Sequence, residues 1–391
     1  MQPPISDYAL IGDCHGSALV SSKGSVDWCC LRRFDSDPVF FQILHDRAGG
    51  FWEVDLAGVQ EVSRAYVPGT NVLKTTFRTA SGTASVTDFM PVGRSRSASV
   101  HDYVSLNAPG WLVRRFEGVE GRVALTTHFR PRGASFALEP LRLNLQPGRL
   151  VCPSGLSLWH QGEADLDPEG ATIRFELAAG ETRAAVLTQV EPLLNPCEQS
   201  DRMLEATLAF WREWIEYSRY RGRYPAAVMR SALALKLLTY APTGAMVAAP
   251  TTSLPEEIGG ERNWDYRFSW LRDASFALYS LSVLGYSGEA NRFADFLTRR
   301  CFREGSALHI MYSLDGESFL PERLLDHLGG YADSRPVRVG NGAAAQKQLD
   351  IFGEVLDWAH LRVSLGGRLG PDEMSLLRTA ADHVCRVWQN P

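Results

Sequence analysis

The chain has 391 residues, enough for two domains rather than one. Hydrophobic residues make up 45% and charged residues 22%, the balance of a globular protein able to bury sizeable cores. A formal charge of −5 without any Lys/Arg-rich run argues against nucleic acid or an anionic membrane as partner.

The opening Met1-Gln2-Pro3-Pro4-Ile5-Ser6-Asp7 lacks the basic and apolar blocks of a secretory signal, and no apolar stretch is long enough to span a bilayer. A cytoplasmic location is therefore expected. The seven Cys show no Cys-x-x-Cys spacing and the nine His no His-Glu-x-x-His spacing, so neither a disulfide framework nor a metal site is expected.

In chain order, the first half reads as β. Asn71–Thr79, Thr83–Phe89, Trp111–Gly118, Arg122–Phe129, Leu156–His160, Ala171–Leu177 and Thr182–Val190 alternate apolar with polar residues or are rich in Val, Thr and aromatics. Ser81-Gly82, Glu120-Gly121 and Ala179-Gly180 separate them as turns. Short strands at this spacing predict a large antiparallel sandwich. The texture changes near Asn195-Pro196. From Glu198 to Tyr217, Leu204, Leu208, Trp211 and Trp214 recur three or four apart, the pattern of one helix face. Ser218–Tyr224 reads as a joint. Helices are then expected at Pro225–Tyr240, Asp273–Leu284, Gly288–Cys301, Ala343–Leu361 and Asp372–Trp388, with Ser287 and Asp372 as caps. Two long loops, about 241–272 and 304–342, interrupt them, and loops of that length usually carry function or local structure of their own.

Three loop stretches stand out. In Gly259–Asp273, Trp264, Tyr266, Phe268 and Trp270 fall on every second residue and share one face of an extended segment, while Asp265, Arg267, Ser269 and Leu271 take the other. Aromatic rings cover the apolar faces of a pyranose, and the adjacent Arg272 and Asp273 can bind its hydroxyls. An aromatic core strand, with Asp273 capping a helix and Arg272 in a salt bridge, fits the same pattern, and on pattern alone both readings stand. Gly329–Gly342 is a Gly-rich loop in which Arg335 and Arg338 flank Pro336-Val337. It lacks the spacing of a phosphate loop, and by itself it reads as an ordinary turn. Thr243–Glu256 is dominated by small residues and reads first as a structural loop.

Three blocks together make the resemblance specific: Asp7–Cys14 with Gly24–Trp28 and Arg33–Ser36, then Tyr240–Asp273, then Ser334–Asp350. The chain resembles the N-terminal portion of glycoside hydrolase family 15, the bacterial glucoamylase and trehalase-like group. The resemblance implies a trehalase-like β-sandwich over residues 1–195, a helical linker over 196–222 and an incomplete (α/α)6 toroid over 223–391. It implies an α-glucoside or trehalose as substrate. Tyr266 and Trp270 would wall the pocket, and Arg272 and Asp273 would hold the terminal glucose. Phe268 stands where a relative carries Tyr. Arg335 and Arg338 match the loop around the neighbouring sugar.

Such enzymes invert through a carboxylic acid and a carboxylate base about 6.5–9.5 Å apart, and need no cofactor. In the family both lie beyond the position of Pro391, so no catalytic residue is assignable and this chain alone is expected to be inactive. Glu256, Glu257, Glu261, Asp265, Glu317, Glu322, Asp326 and Asp333 sit in the two long loops without matching the catalytic positions. A non-catalytic carbohydrate-binding protein, or an inactive truncated product, is the alternative. The sequence does not choose among α-glucosides or specify an oligomeric state.

Overall fold

A computed structural model describes residues 2–46, 48–302 and 308–389. The chain divides into two compact units. One holds residues 1–93, 107–213 and 329–333. The other holds 94–106, 214–328 and 334–391.

The first unit is antiparallel β. One sheet contains Ala9–Gly12, Ser17–Val20, Val26–Cys30, Phe51–Asp55, Gly170–Ala178 and Glu163–Asp167. The other contains Val59–Tyr66, Leu73–Thr79, Gly82–Phe89, Thr182–Thr188, Ser157–His160, Arg149–Val151 and Asn144–Gln146. The strand Leu112–Arg130 belongs to both: its first half pairs with Gly82–Phe89 and Thr182–Thr188, its second with Phe51–Asp55 and Gly170–Ala178. The sequence reading expected two strands here with a turn at Glu120-Gly121. Instead the strand runs through a register shift between Gly118 and Glu120. Gly121 has φ +67°, and a Cβ there would meet the Ser81 carbonyl at 2.2 Å, so a glycine bends the strand where a turn was expected.

Period-two burial builds the core. Val123↔Leu177, Leu125↔Phe175 and Phe129↔Ala171 are directly opposed, and all six side chains are buried. Residues of both sheets, among them Val20, Trp52, Phe77, Val86 and Phe116, meet in one cluster. Inside this unit lies a fully buried ion pair. Arg114 Nε donates to Asp88 Oδ1 at 2.8 Å, both side chains are 0% exposed, and the guanidinium lies 5.1 Å from the Trp52 ring. It also donates to the carbonyls of Trp52 and Gly24, which satisfies the charge completely enough to tolerate burial.

The helices are α1 (Ser200–Ile215), α2 (Pro225–Leu237), α3 (Leu271–Leu284), α4 (Ser287–Phe296), α5 (Asp350–Ser364) and α6 (Pro371–Val387). The expected α1 stripe of Leu204, Leu208, Trp211 and Trp214 is turned from solvent. In the second unit α3 packs on α5, with further contacts to α2 and α4, and α6 packs on α5. The expected caps differ. Ser287 and Asp372 each fall inside the first turn, behind Tyr286 and Gly370, and the Glu373 carboxylate reaches back to Gly370 N at 2.7 Å instead. The expected helix 343–361 splits into a 3-10 turn at Gly342–Ala345 and α5. A buried group ties segment 94–106 into this unit: Lys236 Nζ meets Glu289 Oε1 at 2.8 Å and donates to the Tyr103 carbonyl at 2.8 Å, and Trp214 Nε1 donates to the same Glu289 oxygen. α3 leaves Phe276, Tyr279 and Val283 exposed, an apolar stripe at helical spacing. None of the seven cysteines is in a disulfide. Among the described residues no helix is long and apolar enough to cross a membrane.

Candidate sugar-binding site

The segment Trp264–Trp270, expected to be extended, bridges to Thr252 at Asp265, bends at Phe268 and is a strand at Ser269–Trp270. It pairs with the preceding loop through Ser253 N–Trp264 O, Ala249 N–Tyr266 O and Ala248 N–Phe268 O bonds of 2.8–3.0 Å. Its faces are inverted relative to an ordinary half-buried strand. The polar Asp265, Arg267 and Ser269 are buried, whereas Trp264, Tyr266 and Trp270 are half-exposed and only Phe268 of the aromatic row is buried. Turning charges inward costs desolvation, and the cost is offset because Arg267 grips Asp265 through Nε–Oδ1 and Nη2–Oδ2 bonds, both 2.8 Å. Three of the four rings are thus left half-exposed, where an aromatic core strand would bury the whole row.

α3 starts directly after this row. Trp270 occupies the N-cap position without a side-chain cap bond, so Asp273 is a first-turn residue rather than the cap. Arg272 lies 5.5 Å from the Trp270 ring centre and donates to Asp350 Oδ2 at 2.7 Å and Gln348 Oε1 at 3.4 Å. The salt bridge that the structural reading of Arg272 required therefore exists, but Arg272 and Asp350 keep 35% and 43% of their side-chain surface exposed. Burial pushes the Asp273 carboxyl above its ordinary range, with Arg272 pulling it down. The side chain nevertheless reaches solvent. The hydrogen bond to Asp350 holds Arg272 more firmly protonated than usual. The Tyr266 hydroxyl is pushed up, mainly by desolvation and then by Glu256, whose Oε1 it meets at 3.3 Å. Tyr266 and Trp270 have ring centres 6.2 Å apart.

Arg338 caps the other end of the row, with its guanidinium carbon 4.4 Å from the Trp264 ring centre. It donates to Glu322 Oε1 at 3.1 Å and to the Glu261 carbonyl at 2.9 Å. Its backbone is held by Thr252 and Ser253, the hydroxyls of the small-residue loop. Arg335 is exposed and makes no ion pair among the described residues. Of the loop carboxylates, Asp265 is neutralised by Arg267, Glu322 is held by Arg338 and Glu256 by Tyr266, while Glu257, Glu261, Glu317, Asp326 and Asp333 are exposed. Asp333 falls in the first unit. Gln348 and Glu322, which hold the two arginines, also line a largely apolar cavity of about 590 Å³ with Ile310, Leu320 and Phe352.

Sequence reasoning left out Asp350 and Gln348, which are 78 and 76 residues from Arg272 and carry no local mark of that pairing. It left Trp264 out of the site as well, although the residue's place in the aromatic row was a signal. Among the described residues no group of three or more His, Cys, Asp or Glu is placed to hold a metal ion.

Residues 222–391 match the family Glycosyl hydrolases family 15, and residues 1–152 match Trehalase-like, N-terminal. Together the two matched regions take in most of the chain, with the glycoside hydrolase match on its second half. Over its whole length it is 34% identical to a trehalase of Mycolicibacterium smegmatis and 33% identical to one of Thermoplasma volcanium. It spans 61% and 62% of those two proteins, and a trehalase of Thermoplasma acidophilum is 36% identical over 95% of this chain and 64% of that protein. The site described above lies in the family 15 region, on the blocks that carried the resemblance.

Proposed function

We propose that this chain supplies the sugar-holding part of an inverting α-glucosidase acting on trehalose. The supporting observation is the inverted Trp264–Trp270 segment, which keeps Asp265 and Arg267 inside and offers Tyr266 and Trp270 to solvent beside Arg272 and Asp273. In this reading the two rings cover the apolar face of a terminal glucose. Arg272, oriented by Asp350 and Gln348, donates to its hydroxyls, and the Asp273 carboxylate accepts from them. Arg338 faces the second sugar from its perch on Trp264, and Arg335 reaches the same region from the exposed part of the loop.

In the same reading α2 to α6 are the first helices of an (α/α)6 toroid, and the general acid and base are supplied by residues outside the 391 of this chain. Trehalose is the substrate that the names of the relatives favour, since the residues around the terminal glucose do not separate it from other α-glucosides, which share that sugar. The deciding experiment measures hydrolysis of trehalose, maltose and soluble starch by the full-length protein and by its Arg272→Ala variant, beside this chain alone. Trehalose turnover that needs Arg272 and is missing from the 391-residue chain supports the reading. Turnover by the short chain, abolished by substituting Glu256, Glu261, Glu317 or Glu322, would mean that it carries its own carboxylates. Trehalose binding without turnover by the full-length protein would favour a sugar-binding protein.

A further inference from the structure

We propose that Asp265 is a positioning residue that sets Arg338 over Trp264, and through it the grip on the second sugar; this rests on the reading of the site given above. The buried pair faces two ways. Toward its own segment, both carboxylate oxygens of Asp265 take Arg267. Toward the Arg338 loop, Oδ2 also accepts from Gly340 N at 3.2 Å, and the Asp265 carbonyl accepts from Asn341 Nδ2 at 3.0 Å. Gly340 and Asn341 lie two and three residues beyond Arg338, so these bonds fix the register of the loop just where it delivers the guanidinium.

The fit leaves no slack. Gly340 has φ +80°, and a Cβ on it would stand 2.0 Å from the Pro321 carbonyl. On the other side of Arg338, its N–H donates to Ser253 Oγ at 2.7 Å and its carbonyl accepts from Thr252 Oγ1 at 2.6 Å. Apolar side chains of similar volume would fill the space under the aromatic row at no greater cost than an ion pair. They would not accept from Gly340, and the loop would lose its anchor just beyond Arg338. Asp265 reaches no sugar itself. It acts by holding Arg338 against the ring, where the cation and the indole face attract each other.

The test uses the full-length protein with Asp265→Asn, Asn341→Ala and Arg338→Ala. Asn341→Ala leaves the Asp265–Arg267 pair intact and removes the second bond of the loop, to the backbone carbonyl of Asp265, so it tests the anchoring of Arg338 on this segment if Asp265→Asn fails to fold. The expected result is a KM for trehalose raised about tenfold in each variant with kcat retained, the size of effect from losing one placed polar contact. Adding Asp265→Asn to Arg338→Ala should bring no further rise. A second readout needs no turnover: the emission of Trp264, isolated by difference against Trp264→Phe, should change alike in all three variants as the cation leaves the ring. A lowered melting temperature with unchanged KM and unchanged Trp264 emission overturns the proposal and leaves Asp265 purely structural. If the wild type does not turn over trehalose, the functional reading fails, and the emission readout alone decides the positioning: a shared change upholds it, no change overturns it.

Discussion

Each unit of this protein contains an arginine beside a tryptophan and an aspartate, and in the proposed reading of the site the two groups serve opposite ends. Arg114, Trp52 and Asp88 lie in the β core with both ionic side chains 0% exposed, and the guanidinium donates to both Asp88 carboxylate oxygens and to the Trp52 and Gly24 carbonyls. Arg272, Trp270 and Asp350 repeat the grouping with a single 2.7 Å bond between the charges and a ring 5.5 Å away, but the charged side chains stay 35% and 43% exposed. The chemistry of the three residues is shared, so burial decides the use. A fully satisfied charge has nothing left to offer a ligand and fixes the fold. A half-satisfied one at the surface can exchange water for sugar hydroxyls.

The sharpest way to break this contrast is to remove one partner on each side. Arg114→Met strands Asp88 in the core, and a loss of about 3–5 kcal/mol in urea unfolding is expected, with poor folding at physiological temperature. A loss below about 1 kcal/mol would place the Arg114 pair in the surface class. Arg272→Ala should shift stability by less than about 1 kcal/mol. In the full-length protein it should weaken trehalose binding roughly 10- to 100-fold, equivalent to about 1–3 kcal/mol for unpaired polar groups. Calorimetric binding together with a melting curve separates the two effects, and a large stability loss with normal binding would make Arg272 a second structural staple.

A pH series sharpens the ligand-facing side. In the proposed reading the raised carboxyl of Asp273 accepts sugar hydroxyls at both oxygens, with charge assistance, only when ionised, so trehalose binding should fall as pH drops, with a midpoint above the ordinary Asp value of about 3.9. The fold's own dependence on this group runs the other way. Its charged form is disfavoured in the native state, so its contribution to stability declines as pH rises through that range. Asp273→Asn should flatten the binding profile, and a midpoint at or below the ordinary value would show that Asp273 does not receive the sugar. The smallest effect is expected at the exposed Arg174–Asp165 pair, 54% and 69% exposed on the β surface. Asp165→Ala should change unfolding free energy by about 0–1 kcal/mol, which calibrates what an ion pair contributes here without burial.

The periodicities by themselves determined the element types. The strand Arg122–Phe129 and the helix carrying Leu204, Leu208, Trp211 and Trp214 were legible because one face of each is buried, and burial imposes a period of two or of three to four on the apolar residues. The row Trp264–Trp270 was legible as a segment with segregated faces, although not its bend at Phe268, and the adjoining Arg272-Asp273 as its polar end. Tertiary structure alone decided which face of that row looks outward, because a two-residue period is symmetric between its faces until something packs on one of them. It also decided that Leu112–Arg130 is one bent strand, since a Glu-Gly pair marks a turn or a bulge equally well until its partner strands are known. The pairings of Arg272 with Asp350, Arg338 with Trp264 and Asp265 with Gly340 join residues about 75 positions apart. No local pattern records such contacts, because they form only when segments distant in the chain fold against one another.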